Sequence, residues 1–224
     1  MKRLLDYMTP FQWVEVSAII VFTLYFAFTG TGQTPLYVAV DSLAAICGVF
    51  CVVLCAAGKK SQYYWGFVNI LAYIVIAFIN RYYGEVMLNT LYYLPTQFVG
   101  MYVWKKHYRD EADIVEGKRM KLTFVVIWGL VSAAGVFGYK LILDALGGSV
   151  TLLDSMSTVL SLAANALMVA RYREQWLLWI VVDVITVIMW AIAGDLIMTA
   201  MWAIYLINAV YGFIMWSRMS RANA

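Results

Sequence analysis

Charge is what this chain has least of. Only 13% of its 224 residues are Asp, Glu, Lys or Arg, while 64% are apolar and the mean hydropathy is +0.78. No water-soluble fold hides that much hydrocarbon surface, so the chain belongs in lipid. There is one histidine, His107, and it falls in a basic loop, which leaves an intramembrane enzyme without a base for a nucleophile or a metal cluster. The chain is therefore not expected to be an enzyme. The cysteines number three, and Cys47, Cys51 and Cys55 recur every four residues along one helix face. Ligands stacked in that way do not converge on one ion, so they read as small packing side chains, with no disulfide implied. A G-x-x-x-x-G-K-[ST] phosphate loop is missing, as is a run of acidic residues for a proton relay, so no energy source is encoded. The last apolar segment, 197–217, lacks the lysine a retinal Schiff base requires. No cofactor and no nucleic-acid partner is expected.

What the chain does have is length without charge. A spanning helix needs about 17–25 mostly apolar residues to cross the hydrocarbon core. Eight segments qualify, at 11–29, 36–57, 63–80, 86–104, 122–145, 151–170, 176–193 and 197–217, with short loops between them. Residues 1–224 therefore form a single all-α membrane domain. Met1-Lys2-Arg3 followed by an apolar run suggests a signal peptide, but Asp6 and Glu15 interrupt it and no small-residue cleavage site follows, so the first helix is expected to stay.

Basic residues are retained in the cytoplasm during insertion, so their distribution fixes orientation. Lys2, Arg3, Lys59, Lys60, Lys105, Lys106, Arg109, Lys118, Arg119, Lys121, Arg171, Arg173, Arg218 and Arg221 share one side, against Arg81 and Lys140 on the other. Removing a helix from the middle would scramble that split. Both termini are expected in the cytoplasm.

Self-comparison shows residues 41–104 resembling 154–216 at an offset of about 113. Asp41-Ser42 matches Asp154-Ser155, Trp65 matches Trp179, Asn69 matches Asp183, Tyr93 matches Tyr205, and Gly100 with Trp104 matches Gly212 with Trp216. Each repeat holds three helices, in 36–104 and 151–217, with 122–145 as a linker helix that restores parity and 11–29 as an extra N-terminal helix. Parity makes the repeats parallel, and carriers built that way bind substrate near the midplane where the halves meet.

Four helices also carry polar stripes, which lipid does not tolerate and which therefore face other helices or a cavity. Trp176, Trp179, Asp183, Thr186 and Trp190 share one face, as do Gln62, Trp65, Asn69 and Tyr73. Asn89, Tyr93, Gln97 and Gly100 form a third stripe, and Trp202, Tyr205, Asn208 and Gly212 a fourth. Taken singly, such residues knit helices together or sit at the interfaces. Placed at corresponding helices of two repeats, they describe a binding cavity. Asp183 lies deep in its helix and needs a partner, whether a cation, a proton, or donors such as a Trp indole or the Asn208 amide. Asp41 and Asp154 lie nearer their helix ends and read as structural or gating pairs. Aromatic rings beside a carboxylate suit a flat cationic ring, and amides suit hydroxyls or a carboxamide, as in a nucleoside-like ligand.

At Glu174-Gln175-Trp176-Leu177-Leu178-Trp179 the chain resembles the PnuC family of bacterial vitamin B3 transporters, which carry W-x-x-W at the start of this helix. Asp154-Ser155, Arg171-Tyr172-Arg173, Asp183 four residues after the second Trp, Tyr92-Tyr93, the Gly100–Trp104 segment and Asn208 fit the same pattern, over residues 36–217. The resemblance implies a SWEET-like three-plus-one-plus-three fold in the bacterial inner membrane. It also implies passive carriage of nicotinamide riboside, a cationic pyridinium nucleoside, by alternating access, with trapping by a cytoplasmic kinase on the way to NAD. It places the ring against Trp176, Trp179 and Tyr205, with Gln97 and Asn208 bonding ribose or carboxamide. Asp183 then faces the pyridinium or orients the tryptophans. Tyr93, Asn69 and Trp65 complete the candidate set from the first repeat. Thiamine, a riboflavin-like ring or a sugar fit the same chemistry, and a cargo receptor on this scaffold would bind a peptide terminus there instead. The remaining partners are membrane lipids and, by analogy with the family, further copies of the chain.

Overall fold

A chain surrounded by hydrocarbon must close its backbone hydrogen bonds internally, and the helix does this within each segment. The computed structural model describes residues 8–29, 34–79, 83–110, 113–145, 147, 151–193 and 196–222, and among these the regular structure is helical apart from one two-residue strand pairing and one isolated bridge, Lys118 with Tyr172. Met1, Lys2, Arg3, Asp6 and Arg81, together with the side chain of Trp190, lie outside the described residues. The chain divides into two compact units, Met1–Val115 and Glu116–Ala224.

The first unit contains α1 (Pro10–Thr29), α2 (Pro35–Ala56), α3 (Gln62–Ile79), α4 (Tyr83–Leu88) and α5 (Leu94–Lys106). A π-helical turn, Asn89–Tyr93, joins α4 to α5, so these two run as one segment. Its cause is Pro95, which has no N–H and whose ring would strike the carbonyl four residues back. The helix widens ahead of it, and the Leu94 N–H reaches back to the Asn89 carbonyl. Thr34 caps α2 by accepting the Tyr37 N–H, with Pro35 in the first turn. α1 packs on α2 through Gln12, Glu15, Val16, Ile19 and Thr23, all buried on one face. Gln12 Nε2 donates to the Val53 carbonyl at 3.1 Å.

The second unit contains α6 (Leu122–Ala145), α7 (Thr151–Val169), α8 (Gln175–Ala193) and α9 (Leu196–Ala222). α6 buries little besides Ser132 and turns Leu122, Phe124, Leu130, Val131 and Phe137 outward. Such a surface is suited to lipid and not to water. Among the described residues five helices are long and apolar enough to cross a membrane, at Pro35–Ala56, Gln62–Ile79, Leu122–Ala145, Thr151–Val169 and Thr199–Arg221, with Pro10–Tyr25 and Gln175–Met189 as shorter apolar stretches. The eight expected segments are thus all helical, their ends moved by a few residues at most.

Both units end a helix in the same way. Gly58 after α2 and Arg171 after α7 take left-handed backbone angles, φ 70° and 67°. In each case the next residue donates back across the last turn, Lys59 to the Leu54 carbonyl and Tyr172 to the Leu167 carbonyl, both at 2.9 Å. Glycine suits that conformation, whereas an arginine there costs about 1–2 kcal/mol. The Arg171 side chain offsets the cost by donating from Nη1 to the Glu116 carbonyl at 3.1 Å. Each cap carbonyl also accepts from the connecting segment, Gly58 from Val115 and Arg171 from Lys118.

Outside the spans, Tyr108–Arg109 pairs antiparallel with Ile114–Val115. Asp113 resists burial there by bonding Lys59 Nζ at 2.8 Å and the Tyr108 hydroxyl at 2.7 Å, and these contacts hold its carboxyl below the usual range.

Candidate functional site

Polar side chains inside a helical bundle are placed by what lets two helices approach. In the first unit that is Gly100 on α5. A Cβ there would stand 2.4 Å from the Tyr63 hydroxyl oxygen, so the Tyr63 ring occupies the space a side chain would fill. Tyr63 is fully buried and meets Trp104 edge to face at 5.2 Å. Such a pair contributes about 0.5–1.5 kcal/mol beyond its burial. In the second unit Gly212 on α9 does the same for Trp176 on α8. A Cβ would stand 2.7 Å from the indole, which meets Trp216 edge to face at 6.3 Å. Tyr63 and Trp176 therefore hold like positions, as do the fully buried Gln62 and Gln175 just before them.

This register sets the layers above. In the first unit the next layer joins Gly66 and Gln97, whose amide lies 3.1–3.2 Å from where a Gly66 Cβ would be. By the same spacing, Trp179 falls opposite Ala209 in the second unit, and Asp183 opposite Tyr205. The expected matches of Trp65 with Trp179 and of Asn69 with Asp183 are thus one residue out. Counted from the two notched aromatics, Gly66 corresponds to Trp179 and Ile70 to Asp183. Trp65 and Asn69 turn towards α2 instead. Trp65 is 36% exposed and stacks on Phe50 at 4.4 Å, while Asn69 Nδ2 donates to the Ala44 carbonyl at 2.8 Å.

The other candidates divide by unit. In the first, Gln97 is buried with Oε1 unpartnered, and Tyr93 packs edge to face on Tyr92 at 5.3 Å. In the second, Trp176, Asp183 and Asn208 are buried, whereas Trp179 and Tyr205 are half-buried. Tyr205 meets Trp202 edge to face at 5.3 Å. Thr186 donates to the Val182 carbonyl of its own helix. Asp183 is 2% exposed and forms no hydrogen bond or ion pair among the described residues. The tryptophans of W-x-x-W thus differ: Trp176 is wedged in a glycine notch, while Trp179 is half-buried.

Below this layer an ion pair closes the basic end of the second unit. Arg173 Nε donates to Glu174 Oε1 at 3.0 Å and Nη1 to Ser217 Oγ at 3.1 Å, and its guanidinium lies over Phe213. Glu174 Oε2 accepts the Met120 N–H. Gln175, fully buried with neither amide atom partnered, is a polar group the stripes had not singled out. Its signal was the match with Gln62, each one residue before a notched aromatic. The cysteines are free thiols, and Cys51 donates to Gln62 Oε1 at 3.4 Å.

Apolar helices that turn hydrocarbon outward and bury amides, aromatics and a carboxylate mark a multi-pass membrane protein. Comparison with known proteins narrows this. The family model described as nicotinamide mononucleotide transporter matches residues 38–218. The chain belongs to that family. It is 39% identical over 194 residues to the nicotinamide riboside transporter PnuC of Neisseria mucosa, covering 82% of this chain and 73% of that one. The PnuC of Haemophilus influenzae is 32% identical over 212 residues, covering 94% and 91%. A solved structure, the crystal structure of the vitamin B3 transporter PnuC, superposes with a TM-score of 0.81 at 33% identity, covering 96% and 94%. These relatives are named as transporters and not as enzymes.

Proposed function

We propose that this chain carries nicotinamide riboside across the bacterial cytoplasmic membrane by facilitated diffusion. Both termini lie in the cytoplasm, and two parallel three-helix repeats alternate the access of the site. Phosphorylation inside traps the product. The observation that carries the reading is Asp183, a buried carboxylate with no hydrogen-bond or ion-pair partner among the described residues, one turn from Trp179. An unpaired carboxylate at membrane depth costs several kcal/mol. A pyridinium cation offsets that cost while stacking on the aromatic faces. The half-buried Trp179 and Tyr205 supply those faces, Trp176 forms the wall behind them, and Gln97 and Asn208 bond the ribose or carboxamide.

The family model is described by the mononucleotide, the named relatives by the riboside, and the two differ by a phosphate. Between Gln175 and Ser217 the chain has no Lys or Arg, and between Ser61 and Trp104 it has only Arg81. With the pyridinium on Asp183, the phosphate dianion would find no Lys or Arg on these spans besides Arg81, and burying it unpaired is costly. The riboside fits and the mononucleotide does not. Calorimetric titration of the purified protein should show binding of nicotinamide riboside and none of the mononucleotide, with thiamine a weak competitor. Equal binding of the mononucleotide would overturn the charge argument.

A further inference from the structure

Gln97 owes its position to a missing side chain. An ideal Cβ on Gly66 would stand 3.0 Å from Cys51 Sγ and 3.1 Å from Gln97 Oε1, with Nε2 at 3.2 Å. The glycine is hemmed in by sulfur on one side and an amide on the other. Cys51 is tied, because its thiol donates to Gln62 Oε1 and Gln62 is fully buried. Gln97 is the side that gives. It is 6% exposed, and its Oε1 is buried with no hydrogen-bond partner. An unpartnered carbonyl oxygen in that setting is an acceptor that awaits a donor.

The second unit solves the same layer in reverse. Where the first has Gly66 opposite Gln97, it has Trp179 opposite Ala209. One unit carries the small residue on its middle helix and receives an amide from the next; at the corresponding sequence positions the other carries an indole on the middle helix and a small residue on the next. The exchange replaces a stacking face with a hydrogen-bonding group. One layer below, the space at Gly100 is taken by the Tyr63 ring, whereas the space at Gly66 is shared by the Cys51 thiol and the Gln97 amide.

We propose that Gly66 is a positioning residue for substrate recognition: its lack of a side chain admits the Gln97 amide and fixes where its Oε1 meets an N–H or O–H donor of the ligand. This rests on the riboside reading above. A methyl at Gly66 displaces the amide by a few tenths of an ångström, enough to misalign one neutral hydrogen bond.

The test is a double-mutant cycle on the purified full chain, with nicotinamide riboside affinity read by calorimetry and folding by thermal melting. Gly66→Ala should weaken binding about fivefold, the loss of one hydrogen bond, and Gln97→Ala by a similar factor. The double variant should be no weaker than Gln97→Ala alone. Should Gly66→Ala fail to fold, Cys51→Ala opens room on the sulfur side, and the cycle is run in that background. An unchanged affinity in Gly66→Ala, or a penalty that persists undiminished beside Gln97→Ala, overturns the proposal. A wild-type protein that binds no riboside overturns the substrate reading and this inference together. Failure of the variants alone, with the wild type binding, overturns only the inference.

Discussion

The two units are built on one frame and furnished differently. Each ends a helix on a left-handed residue, Gly58 or Arg171, and then buries an amide, Gln62 or Gln175. Each wedges an aromatic against a glycine and a tryptophan, Tyr63 on Gly100 and Trp104, and Trp176 on Gly212 and Trp216. Above that frame the likeness stops. The first unit continues with Gly66 and Gln97 and then Ile70 and Tyr93, the second with Trp179 and Ala209 and then Asp183 and Tyr205. Repetition preserves what holds helices together, while the residues assigned to the ligand occupy the layers where the repeats diverge.

The largest effect should come from breaking the shared frame. Alanine at Gly100 or Gly212 places a Cβ within 2.4–2.7 Å of a buried ring, so each variant should lose about 1–3 kcal/mol by overpacking. Thermal melting of both, side by side, checks the equivalence, and a loss confined to one unit would break it. The divergent layers are sharpened next by Asp183→Asn. It should weaken nicotinamide riboside binding about tenfold, the scale of a hydrogen bond to a charged group, while leaving a neutral riboside analogue nearly unaffected. Equal losses for the charged and neutral ligands would assign Asp183 to packing. The smallest effect is expected from Asn208→Ala, about 1 kcal/mol of riboside affinity for one neutral contact. Unchanged affinity in a folded Asn208→Ala protein removes that residue from the site.

Much of this was legible in the chain itself. Eight apolar stretches gave eight helical segments because lipid leaves the backbone few alternatives. Gly100, Trp104, Gly212 and Trp216 matched across the repeats, and the structure shows why: each glycine is a notch and each tryptophan a buried wall. The middle helices were read one residue out because Trp65 and Trp179 are conspicuous and alike, whereas the frame pairs unlike residues of similar bulk, Tyr63 and Trp176. Packing selects size and position, and a sequence match weighs identity. Asn69 stands out in the sequence as a polar residue and donates to the Ala44 carbonyl, whereas Gly66 has no side chain to stand out by. The π-turn had its cause in view at Pro95, but a proline within a span permits a kink as readily as a bulge.

The central claim is that this chain equilibrates nicotinamide riboside across a bilayer without an energy source. Its most direct test is uptake of labelled riboside into liposomes containing the purified protein, with no imposed ion gradient. The account predicts saturable uptake that stops when internal and external concentrations match, is blocked by unlabelled riboside and is unaffected by the mononucleotide. Uptake no greater than in empty liposomes, or accumulation beyond equality only when a proton gradient is applied, would contradict it.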